Sequence, residues 1–531
     1  MSEPRSRPHR LLTAAALALI CALSWLHQAH YDFENDDAYI SYRYAVHWSQ
    51  GLGPVFNPGE RVEGYSNFLL VGGLALVHRL GFDVVVVSRT LGTFAALGIV
   101  LVAFKFVAVR FQRGTAWALA GSLGVALHGG LACWARSGME TVPLAFLVLL
   151  AQFVFLGELA SQRAHWKSGL AFAACALLRA DGFVHLAATA LFLVLQRSHR
   201  RRLWSLLLPF ACVVVPYFFW RWQYYGYLFP NPYYLRTGGD FYQQLRGLFY
   251  TYNFIVPFGG LLLFAAPLLL LVLRDPARNG ARAYLATCVT VFTAYVVWVG
   301  GDYMPMARFF IPIAVSLFCL QLEAAAEIVE RLASSTVRPP RIASEPSSPN
   351  VAMSSGQRAV FAILASCIVL SGFLPTLNPR RQPRNRATLA SVQVEQWTLA
   401  GRWLKQYVPA GTLLAAEPVG ALAYFSELPI VDMLGVNDEH IAHLQTDNLG
   451  HSTAGHEKRD FAYVLSRRPQ LIFRGVWPDS ARAGEHLSYN DGSSYTLRCV
   501  SLGQGLVAND LGEARTTELF LWYEDRSAWS N

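Results

Sequence analysis

Ala283-Tyr-Leu-Ala-Thr-Cys-Val-Thr-Val-Phe-Thr-Ala-Tyr-Val-Val-Trp-Val299 carries no charged residue anywhere along its length. It approaches the roughly 20 apolar residues that cross a bilayer as a helix. Residues 253–273, 309–326 and 359–375 have the same character. Inside hydrocarbon every backbone amide needs a partner within its own segment, so such runs are expected to be helical. A membrane β-barrel requires short alternating runs instead, and none is apparent. Composition agrees: 53% of the 531 residues are hydrophobic and 15% are charged. Soluble chains carry roughly 25% charged residues. The fold class read from this is a polytopic all-α membrane bundle.

The net charge of +9 does not point to nucleic acid. The basic residues sit in short clusters between apolar runs, which is the positive-inside pattern. Residues 11–26, preceded by Arg5, Arg7 and Arg10, resemble a signal peptide without a small-x-small cleavage site. They read as an uncleaved first helix with its N-terminus in the cytoplasm. Threading onward places 28–83 outside as the first loop, with 67–80 as a juxtamembrane or re-entrant helix. Spans then follow at 84–109, 115–133, 142–159, 168–179, 182–196, 203–221, 253–273, 283–299, 309–332 and 359–375, about eleven in all. Nearly every basic cluster, including Arg197-Ser-His-Arg-Arg-Arg202, falls inside. The Ser/Pro/Arg-rich stretch 333–358 reads as a disordered cytoplasmic linker. The expected division is a transmembrane domain over 1–375 and an extracytoplasmic α/β domain over 376–531. In the latter, 389–407 has helical periodicity, and 412–416, 429–433, 471–475 and 495–501 are strand-like.

Of the eight cysteines, seven lie in or beside apolar segments and read as small packing residues. No CxxC or HExxH pattern signals a metal site.

The polar residues of interest fall on the outer side of this threading. Tyr31-Asp-Phe-Glu-Asn-Asp-Asp-Ala-Tyr-Ile-Ser-Tyr-Arg-Tyr-Ala45 places Asp32, Glu34, Asp36 and Asp37 directly after a membrane helix. A carboxylate beside another acid and near apolar surface has a raised pKa and can act as a general base. The pair also has a purely structural reading, in which Asn35 or Asp36 caps a helix over 38–47 and Asp37 lies in its first turn. With a helix there, Asp37, Ser41 and Tyr44 share a face. Further along, Glu63, Tyr65, Ser66 and Asn67 either line a sugar site or form an interfacial turn. Arg136 with Glu140, Arg179 with Asp181, and Asp302 with Arg308 are charged groups at membrane depth. Such groups need pairing, either as structural ion pairs or around a polar cavity. Guanidinium matches phosphate geometry. The aromatic stretch from Trp220 to Arg236, which includes Asn231, offers flat faces for sugars or isoprenoid chains, or an interfacial belt.

The two stretches Asp36-Asp-Ala-Tyr-Ile-Ser-Tyr-Arg-Tyr-Ala45 and Gly51-Leu-Gly-Pro-Val-Phe-Asn-Pro-Gly-Glu-Arg-Val-Glu-Gly-Tyr-Ser-Asn67 resemble the opening of GT-C fold membrane glycosyltransferases. Within that class the stretches resemble the mycobacterial terminal β-arabinofuranosyltransferases. Ser137-Gly-Met-Glu-Thr141, Arg179-Ala-Asp-Gly182, Pro230-Asn231, Gly300-Gly-Asp-Tyr-Met-Pro305 and Val431-Asp-Met-Leu-Gly-Val-Asn-Asp438 extend the resemblance over most of the chain. It departs from the pattern at Ala180 (proline expected), Arg236 (often lysine) and Tyr303 (commonly tryptophan).

The resemblance implies an inner-membrane enzyme that moves a monosaccharide, with arabinofuranose the nearest precedent. The donor is a polyprenyl-phosphate sugar, and the acceptor is a cell-envelope glycan or lipid on the extracytoplasmic side. The catalytic base then falls on Asp37 or Asp36. Arg179, Arg236 and Arg308 become donor-phosphate ligands. Glu63, Tyr65, Asn67, Glu140, Asp181, Asn231 and Asp302 become sugar or acceptor ligands. A divalent cation, if there is one, falls between Asp36 and Asp37. Two other readings remain open: a lipid-linked oligosaccharide ligase or polymerase, and a transporter or flippase. The latter is disfavoured because no internal repeat is visible and the polar motifs cluster at one face.

Overall fold

A computed structural model describes residues 7–161, 164–255, 280–336, 355–377, 383–477, 486–488, 494–508 and 514–524. The first half is helical: α1 (Arg7–Tyr31), α2 (Asp36–Ser49), α3 (Phe68–Arg79), α4 (Val84–Lys105), α5 (Thr115–Ala126), α6 (Gly129–Ala135), α7 (Thr141–Ala160), α8 (Trp166–Leu178), α9 (Gly182–Leu195), α10 (Leu203–Tyr225), α11 (Asn231–Arg236) and α12 (Phe241–Ile255). Helices Gly280–Trp298, Ile311–Thr336, Ser355–Leu377 and Pro383–Tyr407 follow. Local chemistry sets several boundaries. Asp83 caps α4 by accepting from the amides of Val85 and Val86 at 2.8 and 2.9 Å. Gly226, at φ 84°, ends α10 in the left-handed conformation that glycine adopts without strain. Pro209 and Pro216 lie inside α10, where neighbouring groups in a bundle re-satisfy the freed carbonyls.

Six described helices are long and apolar enough to cross a membrane: Pro8–Tyr31, Val84–Arg110, Thr141–Ala160, His199–Tyr225, Gly280–Trp298 and Pro305–Glu330. The pair α5 and α6, bent by 55°, makes a seventh if it is counted as one span. This is fewer than the eleven expected. The predicted spans 168–179 and 182–196 are α8 and α9, of 13 and 14 residues. At 1.5 Å per residue each reaches about 20 Å, short of a hydrocarbon core of roughly 30 Å. Helix α3, with 12 residues, is likewise too short to cross. Most of the expected span 253–273 lies outside the described residues. The span 359–375 falls within Ser355–Leu377, which is not among the six. Most of the predicted linker lies outside the described residues, though the flanking helices run to Thr336 and begin at Ser355.

The helix Pro305–Glu330 is the axis of the bundle, because its apolar stretch is wholly enclosed by its neighbours. A helix apolar on all sides belongs in such a position. Pro8–Tyr31 and His199–Tyr225 are mostly uncovered and present Leu11, Leu12, Trp204 and Leu208 outward. At one end of the axial helix Glu323 takes ion pairs from Arg113 at 2.6 Å and from Arg282, which also reaches Glu327 at 3.3 Å. Two of the predicted basic turns therefore meet at the same end of the bundle. Arg308 begins the other end, about 20 Å away along the helix.

The chain beyond 383 forms a mixed six-stranded sheet: β1 (Leu414–Ala416), β2 (Ile430–Asp432), β3 (Leu471–Trp477), β4 (His486–Ser488), β5 (Ser494–Ala508) and β6 (Ala514–Glu524). Its order is β2-β1-β3-β6-β5-β4, with β1 parallel to both neighbours and the rest antiparallel. Each of the four predicted strands overlaps one of these, and the predicted helix 389–407 lies in Pro383–Tyr407.

This region is bound to the first loop and to α11 by side chains that grip backbone. Buried Arg43 donates to the carbonyls of Ala423 and Leu428, the latter at 2.7 Å. Asn57 donates to Ile430 O at 2.8 Å and accepts from its amide at 3.0 Å. Asn231 holds the carbonyls of Gly435 and Asp438 at 3.0 and 2.9 Å.

Candidate functional site

The polar motifs scattered along the sequence meet in one cavity of about 100 Å³. Helix α2 contributes Asp37 and Ser41, the following loop Tyr65 and Asn67, and the turn before α7 Glu140. Arg179, Arg236 and Arg308 enter from the α8–α9 break, the end of α11 and the start of the axial helix. Val436, from the chain after β2, closes one side.

The structure separates the two adjacent aspartates. Asn35 is the N-cap of α2, accepting from Asp37 N at 2.9 Å. The Asp36 carboxylate turns away from the cavity and accepts from the amides of Gly420 and Ala421 at 3.1 and 2.7 Å. It caps the helix Ala421–Ser426 and ties the C-terminal region to the first loop. Gly420 has no room for a side chain, since a Cβ there meets Asp36 O at 2.0 Å. Burial pushes the Asp36 carboxyl up to about 7, against the lowering effect of the two amides. The Asp37 carboxylate accepts no hydrogen bond among the described residues. Burial raises its pKa, while Arg308 and Arg236 oppose the rise and Asp302 adds to it. It thus faces two guanidiniums across the cavity. Ser41 shares its wall, as the helical spacing predicts. Tyr44, also predicted for that face, lies behind it, donating to Val62 O at 2.6 Å and Asn437 Oδ1 at 3.2 Å.

Each arginine is set differently. Arg308 is pinned by Asp302, whose Oδ2 accepts from its Nε at 2.7 Å. Burial acts to raise the Asp302 pKa, but Arg308, Arg236 and Arg179 together outweigh it and hold the carboxyl below its ordinary value. Arg179 pairs with Asp181 at 3.1 Å and lies 3.7 Å from Glu140. Its Nη1 has no hydrogen-bond partner among the described residues. Arg236 Nε is likewise buried without one. Unmatched guanidinium nitrogens at a polar cavity are donors suited to an anion.

The remaining predicted residues divide by position. Tyr65, Asn67 and Glu140 line the cavity, and Asn67 Nδ2 donates to Glu140 Oε2 at 2.9 Å. Asp181 and Asp302 stand behind the arginines as their counter-ions, with Tyr295 donating to Asp181 at 2.8 Å. Asn231 holds the 435–438 backbone, as described above. Glu63 is buried and engaged by Arg221, whose Nε and Nη2 reach Oε2 at 2.8 and 2.6 Å. The expected Arg136–Glu140 pair does not form. Arg136 reaches Asp32 at 3.2 Å instead, leaving Glu140 to Asn67 and Arg179.

Sequence reading assigned no role to Arg43, Arg221 or Asp432. Asp432 accepts from the amides of Leu434, Gly435 and Asn437 at 2.9, 3.0 and 2.7 Å. This folds the turn that delivers Val436 and Asn437 to the first loop. Burial pushes its carboxyl up to about 6, held back by these donors. The one sequence signal for it was its place within the quoted 431–438 motif.

The residues do not fit a cation held between Asp36 and Asp37. One carboxylate is occupied by two amides, and the other faces arginines. Among the described residues no group of three His, Cys, Asp or Glu side chains converges as metal ligands do.

Comparison with known proteins bears on the fold. Residues 386–510 match a family described as a domain of unknown function (DUF8728). No curated protein matches the chain. Among solved structures, ArnT from Cupriavidus metallidurans bound to undecaprenyl phosphate is similar, with a TM-score of 0.52 and 13% identity over 97% of this chain and 98% of that one. The same protein in the apo state is also found, at a TM-score of 0.49, 13% identity and the same coverage. The chain therefore has an ArnT-like fold along nearly its whole length.

Proposed function

We propose that this chain is a membrane glycosyltransferase that takes a monosaccharide from a polyprenyl-phosphate donor. The acceptor hydroxyl belongs to a cell-envelope glycan or lipid on the extracytoplasmic side of the inner membrane. The observation that carries the reading is the opposition, in one cavity, of three arginines and an Asp37 carboxylate that accepts no hydrogen bond among the described residues. The ArnT-like fold supports it, since the ArnT of that structure binds undecaprenyl phosphate. The sequence resemblance makes arabinofuranose the first sugar to test.

The chemistry follows from the placement. Arg179, Arg236 and Arg308 hold the donor phosphate and stabilise the charge it gains as it leaves. Asp37 removes the proton from the acceptor hydroxyl, whose oxygen attacks the anomeric carbon. The new C–O bond forms as the bond from the anomeric carbon to the phosphate oxygen breaks. Polyprenyl phosphate departs with that electron pair. Fixing donor and acceptor in this order supplies much of the rate enhancement. Asp302, Asp181 and Glu140 keep the guanidiniums aimed, and Asn67 and Tyr65 face the sugar.

The test is transfer of radiolabelled sugar from a panel of polyprenyl-phosphate monosaccharides by the purified chain in detergent. Transfer from one donor, lost in Asp37→Asn, is the expected result. Folded protein that neither transfers nor hydrolyses any donor overturns the reading. A ligase or polymerase would instead require a lipid-linked oligosaccharide donor.

A further inference from the structure

A second, larger cavity of about 700 Å³ opens beside the first, between residues 60–62 of the first loop, Tyr227 and the C-terminal residues 437–445. Its walls suit a particular chemistry. Two arginines, Arg61 and Arg467, face three carboxylates, Glu60, Asp438 and Glu439, a formal balance of −1. The arginines are already engaged. Arg467 donates to Glu60 at 2.7 Å and to the Tyr463 hydroxyl at 2.9 Å, while Arg61 lies over the Tyr224 ring at 4.8 Å. Arg467 is committed to Glu60, leaving Arg61 as the one arginine of the cavity without a carboxylate partner among the described residues, and a phosphate would still meet a net negative wall.

What the cavity does offer is flat rings and hydrogen-bonding groups. His440 and His443 lie on one side of the short helix Glu439–His443. His440 stacks on Tyr463 at 4.0 Å, and His443 packs against Tyr227 at 4.7 Å. His443 Nδ1 bonds the Glu439 carbonyl at 2.8 Å. Its Nε2 is shielded from water and has no hydrogen-bond partner among the described residues. A buried polar atom left without a partner calls for one. His440 Nε2 is held by Asp460 and Asp438 by Ile441 and Tyr463, so the groups left for a sugar's hydroxyls are the His443 imidazole and the second oxygen of Glu439, whose first takes the Tyr227 hydroxyl; with rings for the C–H faces they match a neutral polyol.

The position links this cavity to the other one. Val62 lines the second cavity and Gly64 the first, and Asn437 and Val436 divide in the same way. Two residues of chain span at most about 7 Å. Gly64 is needed at this wall, because a Cβ there would meet Asn437 Oδ1 at 2.0 Å.

We propose that the second cavity is a subsite for neutral sugar residues of the acceptor, next to the one that receives the transfer. This rests on the transferase reading above. The full-length chain carrying Asp37→Asn, so that nothing turns over, is titrated in detergent with linear neutral trisaccharides of arabinose, mannose, galactose and glucose. Binding is followed by saturation-transfer NMR, with a phosphorylated trisaccharide as the contrasting probe. The expected result is saturable binding of a neutral trisaccharide, weakened about tenfold by His443→Phe, which keeps the ring but loses its nitrogens, and similarly by Glu439→Gln. Unchanged melting of the variants shows that they fold, and the two substitutions act independently of each other. Binding of no neutral trisaccharide overturns the proposal, as does binding of the phosphorylated probe alone or binding that ignores both substitutions. If trisaccharide binds while the wild-type chain transfers from no polyprenyl-phosphate donor, the transferase reading fails and the sugar site stands. If transfer proceeds and no trisaccharide binds, the subsite alone fails.

Discussion

Replacing Asp37 and Asp36 separately by asparagine should give opposite phenotypes, although the two are neighbours in the chain. Asp37→Asn removes the one cavity carboxylate that accepts no hydrogen bond among the described residues. It leaves the Asn35 cap intact, because that bond runs to the backbone amide. Loss of a general base lowers turnover by about 10²–10⁴, or roughly 3–5 kcal/mol of barrier. The melting temperature should stay near wild type or rise slightly, since a partly desolvated charge facing Asp302 is gone. Asp36→Asn keeps one oxygen for the amides of Gly420 and Ala421 and exchanges the other for an NH₂ group. One amide loses its acceptor, which loosens the clasp between the first loop and the C-terminal region, and this is partly offset above pH 7 because the costly buried charge is gone. Turnover by the folded fraction should persist. The assay pairs single-turnover sugar transfer with thermal unfolding and limited proteolysis of both variants. The reasoning is refuted if Asp37→Asn keeps more than about a tenth of wild-type turnover. It is equally refuted if Asp36→Asn melts normally and is inactive.

Other consequences can be measured on the same preparation. Transfer should rise with pH, because Asp37 must be ionised to accept a proton. Its raised pKa puts the midpoint above the usual carboxylate range, and Asp37→Asn should flatten the profile. Stability should run the other way. Asp36 has a folded pKa of about 7, above its unfolded value near 3.8. The folded state therefore holds more protons between those values, and stability falls as pH rises through that window. Asp36→Asn should remove that slope in denaturation curves. Arg221→Met strands the buried Glu63 charge and should cost about 3–5 kcal/mol, with most of it recovered in the Arg221→Met/Glu63→Gln double variant. An additive double-mutant cycle would show the two to be uncoupled. Gly64→Ala should force Asn437 away, increasing protease cleavage in the C-terminal region and lowering transfer. Unaltered proteolysis would mean that this contact does not hold the region in place.

Hydropathy alone identified a helical membrane protein, because no other structure leaves a long apolar run without unsatisfied amides. The long first-loop motif, the paired charges at membrane depth and, for Arg236, the family resemblance marked most of the cavity's eventual polar lining: Asp37, Tyr65, Asn67, Glu140, Arg179, Arg236 and Arg308. Periodicity likewise located strands β1, β2, β3 and β5. The span count was less legible. Hydropathy located the break at Arg179–Gly182, but each side was counted as a span, and at 13 and 14 residues α8 and α9 are too short to cross singly.

Partners across the chain were decided by the tertiary structure. Adjacent helical residues point about 100° apart, so the string Asp36-Asp37 could not say which carboxylate meets amides some 380 residues later and which meets arginines. Arg136 was matched to Glu140 by proximity in sequence, yet packing gave Asp32 to the one and Asn67 and Arg179 to the other. Arg43, Arg221 and Asp432 carry no signal of their own. Each acts only where folding brings a distant carbonyl, carboxylate or amide within about 3 Å. Composition and local pattern therefore determined the solvent and the chemical inventory. The long-range packing of the first loop against the 420–438 segment decided which aspartate caps a helix and which faces the arginines of the cavity.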